Sequence, residues 1–195
     1  MAKSPKSAWS LRFIRNILLW LLPALGLWLL LTPYYNVFVL TASENLLHLT
    51  ESPNATKFLR INNDDAEIQR LDFPPARQRL HPGFRVSDFH FHFILLLALF
   101  LGVPDVPWRK RLENFAIAAI ASAFFHILLG FFQAKFTYAT QLGNWSLEHY
   151  GAFARNFYGL GKHLLDLPVK LAWPFALWAG FYLGMVLPKG AEKPA

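Results

Sequence analysis

The sequence predicts a membrane α-helical protein of about four transmembrane helices, with a small β-rich extracytoplasmic domain between helices 1 and 2. Three observations carry that expectation. Hydrophobic residues are 54% of the chain, above the roughly 45–50% of soluble domains, and they are gathered into separate blocks. Lys and Arg sit beside alternate blocks, as topology signals do. Between the first two blocks the composition turns polar and strand-like.

The first block, residues 17–32, follows Lys3, Lys6, Arg12 and Arg15. With Phe13 and Ile14 it approaches the ~20 residues a crossing helix needs. A basic start before an apolar run also describes a secretory signal peptide, but Thr32, Pro33, Tyr34 and Tyr35 offer no small-residue cleavage site, so an uncleaved span is expected. The second block, 89–103, is short, and would place its polar start at the interface or cross a thinned bilayer. The third, 115–132, and the fourth, 171–187, suffice with their flanks. In the third, Ala116, Ala118, Ala119, Ala121, Ser122 and Ala123 would let a neighbouring backbone approach closely. The resulting division is a cytoplasmic tail and first span over 1–33 and the extracytoplasmic domain over 34–88. Spans two to four then cover 89–187, with an interfacial segment at 133–170, and a cytoplasmic tail covers 188–195.

Orientation follows from the charges. With the N-terminus inside, the cytoplasmic segments hold nine Lys and Arg against three acidic residues, while the other side holds ten against nine. That asymmetry favours both termini in the cytoplasm, the chain lying in an inner membrane. Tyr34, Tyr35, Trp108, Trp145 and Trp173 fall near the proposed boundaries, as an aromatic belt would. The net charge of +7 is explained by these signals; no basic helix or nucleic-acid motif accompanies it, so no nucleic-acid partner is expected.

Within the outer domain, Val37, Phe38, Leu40, Leu46, Leu47 and Leu49 suit a helix. Residues 56–62 and 67–73 flank Asn63, Asp64 and Asp65 as the two arms of a hairpin. Pro74, Pro75 and Pro82 argue against continuous structure beyond it. From Phe84 the chain alternates, with Val86, Asp88, His90 and His92 on one side and Ser87, Phe89, Phe91 and Phe93 on the other, so a third strand leading into the second span is expected. The 133–170 segment, rich in Gly and aromatics, is expected to hold one interfacial helix.

The absence of cysteine excludes a disulfide framework, a cysteine metal site and a thiol nucleophile. No phosphate-binding loop, dinucleotide fingerprint, nucleophile elbow or zinc-protease helix occurs, and no internal duplication of the transporter kind. Asp88, His90 and His92 form a D-x-H-x-H pattern compatible with zinc or copper on one strand face, against which stands hydrogen bonding at the interface. His126, inside the third span, is an ionisable group at membrane depth, suited to a partner, a cavity or helix-packing hydrogen bonds. Gln133 and Lys135 follow it, and Lys135 could snorkel to the interface; Arg155 and His163 are further polar candidates. The triplet at Asn54, Ala55 and Thr56 matches a glycosylation sequon of the kind that occurs by chance.

The stretches 92–111 (HFILLLALFLGVPDVPWRKR) and 132–143 (FQAKFTYATQLG), within the order of single helix, β-rich segment, short span and basic cluster, resemble the exosortase H-associated membrane proteins of Gram-negative bacteria. The resemblance covers nearly the whole chain. It implies a partner of an exosortase, the membrane transpeptidase that recognises and cleaves a C-terminal sorting tag on exported proteins using Cys, Arg and His. Lacking Cys, this chain is not that enzyme by that mechanism. The leading expectation is a non-catalytic accessory or scaffold subunit that contacts the lipid bilayer and another membrane protein, with no catalytic residues and no cofactor of its own. The alternatives are a metal-binding protein or membrane enzyme built on Asp88, His90, His92 and His126, and a small structural subunit of a respiratory or photosynthetic complex.

Overall fold

The computed structural model describes residues 5–51 and 54–186; Lys3 and the tail at 188–195 lie outside the described residues. The elements in order are α1 (Pro5–His48), β1 (Thr56–Arg60), β2 (Asp65–Arg70), β3 (Arg79–Arg85), α2 (Ser87–His90), α3 (Phe93–Gly102), α4 (Trp108–Thr140), α5 (Asn144–His149), α6 (Ala152–Leu164) and α7 (Lys170–Val186). A single π-helical turn, Leu165–Val169, joins α6 to α7.

Side-chain contacts fix how the long elements run. Trp28 of α1 reaches His90 at 3.0 Å, and twelve residues earlier Asn16 donates to the Gly102 carbonyl at 3.1 Å, so α3 descends antiparallel to α1. Tyr35 meets His126, and Ser43 meets the Ile127 carbonyl, so α4 rises parallel to α1. Trp173 donates to Ser122 and Asn114 to Tyr182, so α7 descends beside α4. Four helices therefore run alternately between two ends. One end carries the sheet, and the other carries the 103–107 loop, which Arg12 grips through both carboxylate oxygens of Asp105 at 3.0 and 2.9 Å. Arg111 donates there to the carbonyls of Val106 and Leu101, both at 2.8 Å.

Two of these helices, Ala8–His48 and Trp108–Thr140, are long and apolar enough to cross a membrane. The second expected span is only a ten-residue helix, about 15 Å long at 1.5 Å per residue and half of the ~30 Å hydrocarbon core. Its residues 96–102 are all buried. A helix apolar on every side is at rest when protein surrounds it, and α1, α4 and α7 supply that surrounding.

Small residues set the crossings. A Cβ on Gly130 would overlap the Ser43 hydroxyl and lie 2.8 Å from its Cβ, so α1 and α4 meet there at a distance only glycine permits. A Cβ on Gly102 would come 3.1 Å from the Ile17 backbone nitrogen, which brings α3 equally close to α1.

The sheet is antiparallel in the order β1-β2-β3, with Phe58 opposite Ile68 and Ala66 opposite Phe84. Its inner face packs Phe58, Ala66, Ile68 and Leu80 against Val39, Leu40 and Leu47 of α1 and Leu129 and Tyr138 of α4.

Several boundaries differ from the sequence reading. The first helix does not stop near Pro33; it carries both Pro23 and Pro33 and continues to His48. Asn36, Val39, Leu40, Ser43 and Leu47, all buried, lie on one helical stripe beneath the sheet and against α4, and this packing carries the helix past the amide that Pro33 lacks. The β-rich domain thus begins after residue 51. The third strand ends at Arg85, and Pro82 lies within it. Proline is admissible because β3 is an edge strand whose register slips between Ala66 and Ile68. Beyond Arg85 the expected alternation fails: Asp64 accepts from the Ser87 amide at 2.9 Å and the Ser87 hydroxyl at 2.8 Å, and its carbonyl accepts from Val86, which turns the chain into α2. Finally α4 runs on to Thr140, so Gln133 and Lys135 stand on the same helix as His126.

Candidate functional site

At the sheet-bearing end, α1, the α2 turn and α4 bring three histidines into one buried cluster. His90, His92 and His126 are 1%, 3% and 0% exposed. His90 is fixed by its neighbours: the indole N–H of Trp28 can only donate, so Nδ1 of His90 accepts it, and Nε2 must carry the proton given to Asn36 Oδ1 at 2.6 Å. The Asn36 amide in turn donates to the Asn63 carbonyl at 2.8 Å, tying the cluster to the β1–β2 hairpin.

The other two rings form a chain open at one end. Tyr35 OH lies 2.7 Å from His126 Nδ1, and His126 Nε2 lies 3.1 Å from His92 Nε2. Two imidazole nitrogens facing each other need one proton between them. Tyr35 donating to His126 and His126 donating to His92 satisfies both contacts and leaves the proton of His92 on Nδ1, which has no hydrogen-bond partner. The aromatic rings of Phe93 and Phe125 wall the cluster.

Asp88 is not part of it. Because Ser87–His90 is helical, Asp88 turns outward while Phe89 and His90 turn in. The three-ligand strand face is therefore replaced by two buried histidines with an exposed carboxylate elsewhere. Among the described residues no group of three or more His, Asp or Glu side chains is placed to hold a metal ion.

Asp88 instead lines a cleft of about 590 Å³ between the sheet and the α6–α7 junction, together with Glu67, Arg85, Gln133, Lys162 and Lys170. Asp166 anchors the helical wall, accepting from Lys170 at 2.7 Å and pairing with Lys162 at 3.1 Å. On the sheet wall Arg79 pairs with Glu67 at 2.7 Å and Arg85 with Asp64 at 3.2 Å. Burial alone would raise the Asp64 carboxyl, but the Ser87 hydroxyl and amide and the Arg85 guanidinium outweigh it and hold the group below the usual carboxylate range.

The remaining candidates separate. Lys135 does not snorkel; it is 6% exposed and lies 3.8 Å from Glu51. Arg155 donates to the Tyr150 carbonyl at 2.8 Å and orders the α5–α6 turn, and His163 packs on Phe136. The sequence reading missed Trp28, Asn36, Glu51 and Arg70 as site residues. Asn36 had a usable signal, a polar side chain in register with the apolar residues Val39, Leu40 and Leu47; Glu51 and Arg70 had none, since each reads as an ordinary loop or strand charge.

The chain matches no protein-family model, no curated protein and no solved structure.

Proposed function

We propose that this protein is a non-catalytic accessory subunit of a bacterial inner-membrane complex, crossing four times with both termini in the cytoplasm and the sheet, α5 and α6 outside. Its partner on this reading is an exosortase-type sorting enzyme. The observation that carries the reading is the uncovered face of α1. Leu11, Ile14, Leu18, Leu22, Leu25 and Leu29 recur at helical spacing and are all exposed, Leu22 at 76%. A helix apolar all round that touches its own chain along one stripe needs lipid or another helix on the rest.

The alternating run of α1, α3, α4 and α7 supports four crossings, with α3 held inside the bundle. Orientation is supported by Arg12, Arg15, Arg109, Lys110 and Arg111, which gather at the end opposite the sheet. A partner role is supported by the cleft between sheet and helices, whose walls carry paired charges of both signs.

Affinity purification from native membranes in mild detergent, with mass spectrometry of everything recovered, tests the reading. An exosortase-like membrane enzyme recovered in fixed proportion is the expected result. Recovery of the protein alone contradicts it, and stoichiometric zinc or copper in the same sample would transfer the function to His92 and His126.

A further inference from the structure

A second cavity, of about 260 Å³, opens between the end of α1, the sheet, α4 and α5. Its walls are mostly polar, with Glu51, Arg70, Asp72, Lys135, His149 and Tyr150, and the Trp145 ring among them is stacked against His149 at 4.2 Å. The space exceeds the ~30 Å³ share of a single water several-fold.

Lys135 is the unusual member. Its ammonium lies at the cavity wall on a residue only 6% exposed, and Glu51 Oε1, at 3.8 Å, is beyond hydrogen-bond range. Glu51 is already occupied: Oε1 accepts from the Thr56 hydroxyl at 2.6 Å and Oε2 from the Thr56 amide at 3.0 Å. The Thr56 hydroxyl in turn takes the proton of Tyr138 OH at 2.7 Å. Among the described residues the other neighbour of the ammonium is the Phe131 ring at 5.8 Å, so its N–H groups are left to face the cavity.

Arg70 is the complementary member. Its Nε and Nη2 bind Asp72 at 2.9 and 2.5 Å, and its plane is clamped over Tyr138 and Trp145 at 4.7 and 4.6 Å. Among the described residues Nη1 has no such partner. Burial pushes the Tyr150 phenol up to about 12, so it remains a donor at neutral pH.

We propose that this cavity binds a carboxylate, whose oxygens take the Lys135 ammonium and Arg70 Nη1. Glu51 and Asp72 in the walls favour a single negative charge over a phosphate dianion. A free small acid and the C-terminus of a polypeptide present the same group to the same donors.

The test uses the purified full-length protein in nanodiscs and isothermal titration calorimetry. The probes are N-acetylphenylalanine, its amide, and a short peptide ending in Phe as free acid and as amide. Each acid is expected to bind at least ~10-fold more tightly than its amide, because the amide cannot accept the ionic hydrogen bonds. Lys135→Gln and Arg70→Gln should each erase that preference. A peptide acid tighter than the acetylated residue assigns a chain terminus; equal affinities assign a small acid. Acid and amide binding alike, or no acid binding at millimolar concentration, would overturn the proposal, and this comparison stands on the wild-type protein if a variant does not fold. Because no partner is present, the outcome is independent of the co-purification experiment.

Discussion

The two halves of α1 answer to different surroundings. Over residues 17–31 the helix is apolar on all sides, and Leu18, Leu22 and Leu30 are at least 60% exposed. Over residues 36–47 the buried stripe includes Asn36 and Ser43 at 0% exposure, each making specific hydrogen bonds. The first half, on the proposed reading, uses leucine because lipid or a partner is its solvent; the second uses polar groups because it is walled by its own chain and must place each donor. One continuous helix thus passes from a face selected for an apolar medium to one selected for packing.

Truncating the two halves separates them most strongly. Leu47→Ala, at 0% exposure within the core beneath the sheet, is expected to cost about 2–5 kcal/mol, read as a fall in Tm of the detergent-solubilised protein. Leu22→Ala should stay within about 0.5 kcal/mol. Equal losses would break the comparison.

Next comes the crossing that joins the second half to α4. Gly130→Val forces a side chain into Ser43 and should cost roughly 1–3 kcal/mol by overpacking, with recovery when combined with Ser43→Gly. Asn36→Leu removes the acceptor of His90 Nε2 and the donor to Asn63. It should cost about 1–3 kcal/mol, and the imidazole signals of His90 should shift in NMR.

The smallest effect is that of pH. Asp64 has its folded pKa below its unfolded value. Its stabilisation is therefore complete above the ordinary carboxylate pKa of about 4 and is lost as pH falls through the lower folded value. Asp64→Asn should flatten the Tm-versus-pH curve below about pH 4 while leaving its slope near neutrality unchanged. Burial opposes the Ser87 and Arg85 interactions that lower the value, so the change is modest.

These contrasts also show what could be read from the chain. The apolar blocks and the hairpin around Asn63–Asp65 were legible because hydrophobic period and turn residues are local signals. The end of α1 was not: Pro33 reads as a stop, and only the sheet and α4, distant in sequence, make the helix continue. The alternation from Phe84 to Phe93 fits a strand equally well until Asp64, from the hairpin, captures Ser87 and turns the chain. His90 and His92 stood out as a pair with Asp88, and His126 as a polar residue within an apolar block; their actual meeting depends on α3 descending beside α1, and Asp88 was assigned to them by a period that the turn abolishes. The Lys135 cavity was illegible, since Glu51, Arg70 and Trp145 come together only through tertiary contacts.

The central claim is that the sheet and the Arg12–Asp105 end lie on opposite sides of the inner membrane. A chain without cysteine allows this to be tested with single substitutions. Lys57→Cys on the exposed side of β1 and Arg109→Cys at the start of α4 would be exposed to a membrane-impermeant maleimide in spheroplasts and after lysis. The account predicts that Lys57→Cys labels in intact spheroplasts and Arg109→Cys only after lysis. Labelling of both from the same side, or of Arg109→Cys alone in intact spheroplasts, would contradict it.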